Sequence, residues 1–541
     1  MRNLFKKRLI IVISLFLICN LFLVACGGDN GGGGGAPAQE ISLNISTEPF
    51  SLNPGLANDS TSGSVLLQTF EGLTRIGKDG KPVNAMAEEV KVSEDLKTYT
   101  FTIREEAKWS NGDPVTAEDF EYAWKWALDP KNQSQYAYQL YYIKNAEAAN
   151  AGKGSVDNVG VTAVDEKTLK VELENPTPYF LELTAFYTYF PVNSKIAKEN
   201  PKWHTDAGEN YTSNGPFTMT SWEHSDEIIL EKNEDYWDKD EVTLERIEMI
   251  MVNDPNTELS MFDNGELDWA GSPTGVLPIE AIPSLRDSGR LNVEPIAGTY
   301  WYKFNTEKKP FNNPNIRKAF AYAIDRKAIV NNVTKGGQLP AMAVVPPTMI
   351  EENEEGFFED ANFQEAKRLL EKGLAEEGYG SVDDLPPITL SYNTSDAHAK
   401  VAQAIQDMWL KNLGVNVELQ NAEWKVFISQ LHGGNYQIGR MGWLGDFNDP
   451  INFLELYKEL GGNNDTRWHN DRFAALLEKS ATEKDPDKRL QILKDAEKII
   501  IDEMPIAPIY FYTNTWVQNE NLKGVVLSGL GDVQFKWAHM E

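Results

Sequence analysis

Apolar and polar residues alternate over Ile41-Ser-Leu-Asn-Ile45, the period of a half-buried strand, before Glu48-Pro-Phe-Ser-Leu-Asn-Pro54 breaks the pattern. Ser64 to Phe70 reads as a short helix, and Lys97-Thr-Tyr-Thr-Phe-Thr-Ile103 alternates again as a strand. Further on, Thr116 is placed to cap a helix that carries Phe120, Trp124 and Leu128 on one face. Two aromatic runs, Gly298-Thr-Tyr-Trp-Tyr302 and Tyr510-Phe-Tyr512, have the composition of strands. Their default reading is core. Short strands and helices alternate through the chain without repeats or low-complexity tracts, which predicts an α/β protein.

One apolar run is of a different kind. Leu9 to Ala25 is interrupted only by Ser14, Cys19 and Asn20 and follows Arg2, Lys6, Lys7 and Arg8, the layout of a secretory signal. Its length also suits an uncleaved membrane anchor. Leu23-Val24-Ala25-Cys26 resembles a bacterial lipobox, which implies cleavage before Cys26 and acylation of its thiol. Several acyl chains on one residue anchor stably where one would be marginal. Gly27 to Gly35 then reads as a flexible tether.

Removing residues 1–25 takes away four basic and no acidic residues, so the formal charge moves from −30 to −34. That sign excludes nucleic acid as a partner. Of the two cysteines, Cys19 leaves with the signal and Cys26 is consumed by lipid, leaving no disulfide and no thiol chemistry. About 500 residues remain, enough for two or three domains with cores of their own.

The segment with the sharpest chemistry is Arg440-Met-Gly-Trp-Leu-Gly-Asp446-Phe-Asn-Asp-Pro450. Asp446 follows a glycine, with Trp443 and Phe447 nearby. A carboxylate walled by aromatics is poorly solvated and wants a cation, which a ligand's α-ammonium would supply. The same residues also make a good turn.

Several motifs resemble the solute-binding proteins of oligopeptide and dipeptide ABC importers. They are Phe70-Glu-Gly-Leu73, Lys78-Asp-Gly-Lys-Pro82, Tyr99-Thr-Phe101 with Arg104, and Lys108-Trp-Ser-Asn-Gly112 leading to Phe120. Ser213-Asn-Gly-Pro-Phe217, Asn233 to Trp237 and Gly265-Glu-Leu-Asp268 continue the likeness. So does Pro310 to Arg326, with a helix carrying Ala319, Phe320, Ala323 and Ile324. The resemblance implies a two-lobed, type II periplasmic-binding-protein-like fold with an inserted domain. Lobe I would comprise residues 41–71, 193–297 and 513–541, the inserted domain 72–192, and lobe II 298–512.

It also implies a peptide sealed between the lobes as an extended strand, its backbone bonded to protein main chain and its side chains in hydrated pockets. Asp446 matches the partner of the peptide's ammonium, and Gly442, Trp443 and Leu444 match the strand beside it. Trp424 and Trp443 match pocket-lining tryptophans, Tyr136 and Tyr512 match tyrosines near the ligand, and Asn58 stands where a relative has glutamate. Arg440 and His398 match two cationic positions for the peptide carboxylate. Leu431 occupies a third such position, and Lys335 lies one place from a fourth. Arg440 also reads as the partner of a neighbouring acid, and His398 as a helix-face histidine.

The competing classes lack their chemistry. There is no Gly-X-Ser-X-Gly elbow, no His-Glu-X-X-His and no free cysteine nucleophile, so a peptide hydrolase is not expected. The histidines at 204, 224, 398, 432, 469 and 539 include no pair spaced for a helical metal site, and no cofactor or metal is expected. Binding of nickel, haem or sugar on the same fold would not need Asp446. The resemblance implies a monomer that serves a membrane permease of two subunits with two ATPases, held on the extracytoplasmic face through Cys26.

Overall fold

The structure is a computed structural model that describes residues 37–460 and 463–541. The signal segment, Cys26 and the glycine run lie outside the described residues. No helix among the described residues is long and apolar enough to cross a membrane.

The alternating stretch at Ile41 forms the strand Glu40–Asn44, which buries Ile41 and Leu43. It pairs in parallel with Arg246–Ile250 and, at Leu43, with Trp269. These strands belong to a sheet of 11. Its order is 417–422, 388–393, 438–444, 292–304, 506–518, 269–271, 40–44, 246–250, 227–232 and 217–223, with 339–340 added beside 506–518. The two aromatic runs are the middles of its longest strands, Asn292–Phe304 and Ile506–Gln518, which lie antiparallel with an irregularity between Pro295 and Thr299. Tyr300, Trp301, Tyr302 and Phe511 are almost wholly buried, so most of these aromatics are core, and only Tyr512 is partly open.

A second sheet of four antiparallel strands uses 87–92, 98–103, 168–172 and 161–163 in that spatial order. The expected strand at Lys97 is Thr98–Ile103, with Tyr99, Phe101 and Ile103 turned inward. Helix Ala117–Leu128 presents Phe120, Trp124 and Leu128, each fully buried, to the core. Its start is fixed by a capping box: one carboxylate oxygen of Asp119 accepts from the Thr116 amide at 2.9 Å and its hydroxyl at 3.1 Å. The same oxygen takes the Trp109 indole at 3.1 Å, and the other takes the Ser194 amide at 2.9 Å. A carboxylate 4% exposed is thus satisfied by four donors.

Two helix bounds differ from expectation. The helix expected over Ser64 to Phe70 runs from Ser60 to Thr69, because Asp59 accepts the Ser62 amide at 2.9 Å and starts it before the apolar residues begin. The helix after Pro310 is Pro314–Tyr322, capped by Asn313, and Ile324 lies beyond its end. The buried Arg326 follows, donating to the Pro508 carbonyl at 2.8 Å and pairing with Asp360 at 3.2 Å, which ties this region to the long strand 506–518.

Candidate functional site

The strand Ile438–Leu444 is unevenly paired. Along one edge every residue meets the strand 292–304, from Ile438 against Phe304 to Leu444 against Gly298. Along the other edge only Ile438 and Gly439 meet a neighbour, Leu390 and Ser391. From Arg440 to Leu444 the second edge has no strand partner among the described residues, although backbone donors and acceptors seek one. Gly442 has no side chain for a reason: a Cβ there would lie 2.7 Å from the Tyr512 hydroxyl oxygen and 3.1 Å from the Thr299 carbonyl.

At the C-terminal end of this edge the chain turns through Gly445 to Pro450. Asp449 takes a bidentate ion pair from Arg489 at 2.6 and 2.8 Å and accepts the Ile451 amide at 3.0 Å. The Asn452 side-chain Oδ1 accepts the Asp446 amide at 3.1 Å and the Trp443 indole at 2.8 Å. Phe447 stacks on Tyr179 with centroids 5.0 Å apart and an interplanar angle of 2°. The turn is therefore held mainly by Asp449, Asn452 and Phe447. No cation pairs with it among the described residues. Burial pushes its pKa up to about 6, against weaker opposing bonds from the Gln139 and Asn452 side chains. Asp446 faces a cavity of about 440 Å³ walled by Tyr138, Tyr142, Trp443 and Glu455, among others.

At the N-terminal end of the edge stands Arg440. Its Nη1 donates to Asn393 at 3.2 Å, its Nη2 donates to the Tyr512 hydroxyl at 3.3 Å, and its guanidinium sits 4.7 Å from the Tyr300 ring centre. Its Nε is buried without a partner, and no acid pairs with it among the described residues. His398 lies in the first turn of the helix Asp396–Leu413, with Nδ1 3.4 Å from the Tyr300 hydroxyl. Burial, and then the charge of Arg440, lower its pKa to about 4. Without a ligand carboxylate beside it, that environment disfavours the charged form of His398. Its ring offers a hydrogen bond.

Of the other expected residues, Tyr136 packs against Tyr138, Phe186 and Tyr187 at 5.4, 6.0 and 6.2 Å. Burial, with the charge of Asp446 a lesser cause, pushes its hydroxyl pKa up to about 12. Asn58 donates to the Gln135 carbonyl at 2.6 Å, beside Tyr136. Leu444 and Trp424 are 54% and 46% exposed, and Trp424 has Phe427 as an aromatic neighbour at 6.3 Å. Leu431 is fully buried beside Phe427 and Tyr436. Lys335 uses its carbonyl to accept from Arg286. Asn393, Gln139, Tyr142, Asn452 and Glu455 also line these two ends. Their local sequence carries no motif, since only chain segments up to about 300 residues away define their surroundings.

Among the described residues, a cation without a carboxylate partner, Arg440, thus sits on the open strand edge, and a carboxylate without a cation, Asp446, sits in the turn just past its end. The mixed α/β architecture is the type II periplasmic-binding-protein-like fold of solute-binding proteins. Residues 81–465 match the model for bacterial extracellular solute-binding proteins, family 5, and the chain belongs to that family. It is 64% identical to the oligopeptide-binding protein OppA of Bacillus subtilis, over 99% of this chain and 100% of that one. Among solved structures it is similar to the murein tripeptide-binding protein MppA in its unliganded open form, which is 34% identical with a TM-score of 0.81 over 93% of this chain and 98% of that one. The OppA of Haemophilus influenzae in complex with RPPGFSPFR is 31% identical with a TM-score of 0.76, over 94% and 100%.

Proposed function

We propose that this protein captures oligopeptides and hands them to an ABC import permease, without cleaving them. The peptide adds as a strand to the open edge Arg440–Leu444, so that main-chain hydrogen bonds common to all peptides supply the affinity. Its α-ammonium pairs with Asp446 and its carboxylate with Arg440, assisted by His398 and Tyr512. Trp443, Trp424, Tyr136 and Asn58 border its side chains. The observation that carries this reading is the pair of opposite charges without ion-pair partners among the described residues, Arg440 on the unpaired edge and Asp446 just past its end. The name of the Bacillus subtilis relative and the peptide in the Haemophilus influenzae complex support it.

The strands 292–304 and 506–518 act as the hinge between lobe I (41–71, 193–297, 513–541) and lobe II (298–512), with 72–192 as an inserted domain. The higher TM-score to an unliganded open form than to a peptide complex supports an open, peptide-accepting state here. Lipid on Cys26 holds the protein as a monomer on the outer face of the cell membrane, beside a permease of two membrane subunits driven by two ATPases.

The test is calorimetry at pH 7 with one tetrapeptide and its N-acetylated form. The free amine binds, acetylation weakens binding at least tenfold, and mass spectrometry recovers the bound peptide intact. Equal affinity for the two forms would show that Asp446 does not hold the ammonium. A cleaved peptide would refute the transport reading.

A further inference from the structure

We propose that the 440 Å³ cavity beside Asp446 is a subsite for a positively charged side chain at the amino end of the peptide, with Glu455 as its partner. The inference rests on the peptide-binding reading and deepens it from peptides in general to peptides that begin with a basic residue.

Glu455 follows the short helix Ile451–Leu454 and is mostly buried at the cavity wall. One of its oxygens accepts the Tyr142 hydroxyl at 3.0 Å. No described residue donates to the other. Burial, with lesser contributions from the charges of Asp449 and Asp446, raises its pKa to about 7, against the Tyr142 bond and Lys458. A carboxylate so placed gains when a cation arrives.

The cations the protein places nearby make no direct ion pair with Glu455 among the described residues, although the charge of Lys458 acts on it. Arg489 is spent on Asp449 through two bonds, and Lys458, the cation on the cavity wall, lies 3.7 Å from Glu478. The cavity therefore presents two partly buried carboxylates, Asp446 and Glu455, with Glu459 exposed at its rim. Two cationic groups on one ligand residue match the first two: an α-ammonium for Asp446 and a side-chain ammonium or guanidinium for Glu455. The rest of the lining is mixed: Tyr138, Trp443, Phe447 and Leu456 supply apolar surface, and Gln139, Asn452, Asn463 and Lys458 supply polar groups. A lysine or arginine suits this lining, because its alkyl stem packs on the apolar surface while its tip keeps the charge. An acidic first side chain would meet like charge, and an aliphatic one would leave Glu455 unpaired.

The probe is a pair of tetrapeptides, Lys-Ala-Ala-Ala and norleucyl-Ala-Ala-Ala, equal in length and stem and differing in one charge, titrated calorimetrically at pH 7.5. Wild type should bind the lysyl peptide about tenfold or more tighter. Glu455→Gln should bring the two affinities within about twofold of each other, while the norleucyl peptide keeps its wild-type affinity and its dependence on Asp446. Glu455→Asp should restore part of the preference. Equal binding of both peptides by wild type overturns the inference and leaves the peptide-binding reading standing. A preference that survives in Glu455→Gln overturns it as well. Failure of wild type to bind either peptide overturns both. The comparison within wild type needs no variant to fold.

Discussion

Replacing Asp446 by Asn should stabilise the free protein while weakening its hold on peptide. The folded-state pKa of Asp446 is about 6 against an ordinary 3.8, and burial is the main cause. Because the folded pKa is the higher one, the native state binds the proton more tightly than the unfolded chain between pH 4 and 6. Its contribution to stability is complete below pH 4 and is lost as pH rises through 6. By pH 7.5 the ionised carboxylate costs the free protein about 3 kcal/mol, from two pKa units at about 1.4 kcal/mol each. Asparagine keeps the shape without the charge, so the variant should gain up to about 3 kcal/mol at pH 7.5 and almost nothing at pH 4. In a chain of this size that is a rise in melting temperature of about 2–3 °C, and differential scanning calorimetry at the two pH values reads it.

The ammonium recovers that cost when it binds, which makes the site a poor place for stability and a good one for affinity. Removing one member of a buried charge pair typically costs about 2–5 kcal/mol. The peptide limits the loss by binding with its amine deprotonated, at about 1.4 kcal/mol per pH unit from an amine pKa near 8. Asp446→Asn should therefore bind a tetrapeptide about ten to a hundred times more weakly at pH 7, and the difference should shrink by pH 9. Wild-type affinity should fall about tenfold at pH 5, where only about a tenth of Asp446 is ionised. An unchanged melting temperature at pH 7.5, or the same shift at pH 4, would refute the account of a buried, uncompensated charge.

Saturating tetrapeptide should shrink the radius of gyration in X-ray scattering and alter tryptophan fluorescence through Trp443 and Trp424; an unchanged scattering profile counts against lobe closure. Arg440→Ala should weaken binding most for one peptide length, because the carboxylate falls where residue number puts it, and equal losses for peptides of two to six residues would make Arg440 structural. Gly442→Ala should displace the Tyr512 hydroxyl, which the added Cβ would approach to 2.7 Å, and weaken binding several-fold with little loss of melting temperature; wild-type affinity would show that the strand absorbs a side chain. Cys26→Ala should release the protein from the membrane fraction or leave an uncleaved precursor, and a wild-type protein that takes up no labelled palmitate is not a lipoprotein.

Much of this protein is legible in the order of its residues. Period-two alternation marks the strands at 40–44 and 98–103, and the Thr116-to-Asp119 spacing marks the capped helix, because each signal is local and each element buries one face. Asp446 also stands out locally, as a carboxylate between aromatics. Local signals failed where a distant segment decides the outcome. His398 looks like a cation in sequence, and only its burial beside Arg440 and Tyr300 disfavours the charged form. Leu431 gives no local sign of being buried beside Phe427 and Tyr436. Trp443 and Phe447 could not by themselves separate a turn from a binding site. The fold gives the turn to Asn452, Asp449 and Arg489, and among the described residues no cation pairs with Asp446. Glu455 carries no motif at all, and its character comes from Tyr142, more than 300 residues earlier in the chain. Hydrophobic period and capping are properties of neighbours in sequence. Desolvation and charge pairing are properties of neighbours in space, and only the tertiary structure decides who those are.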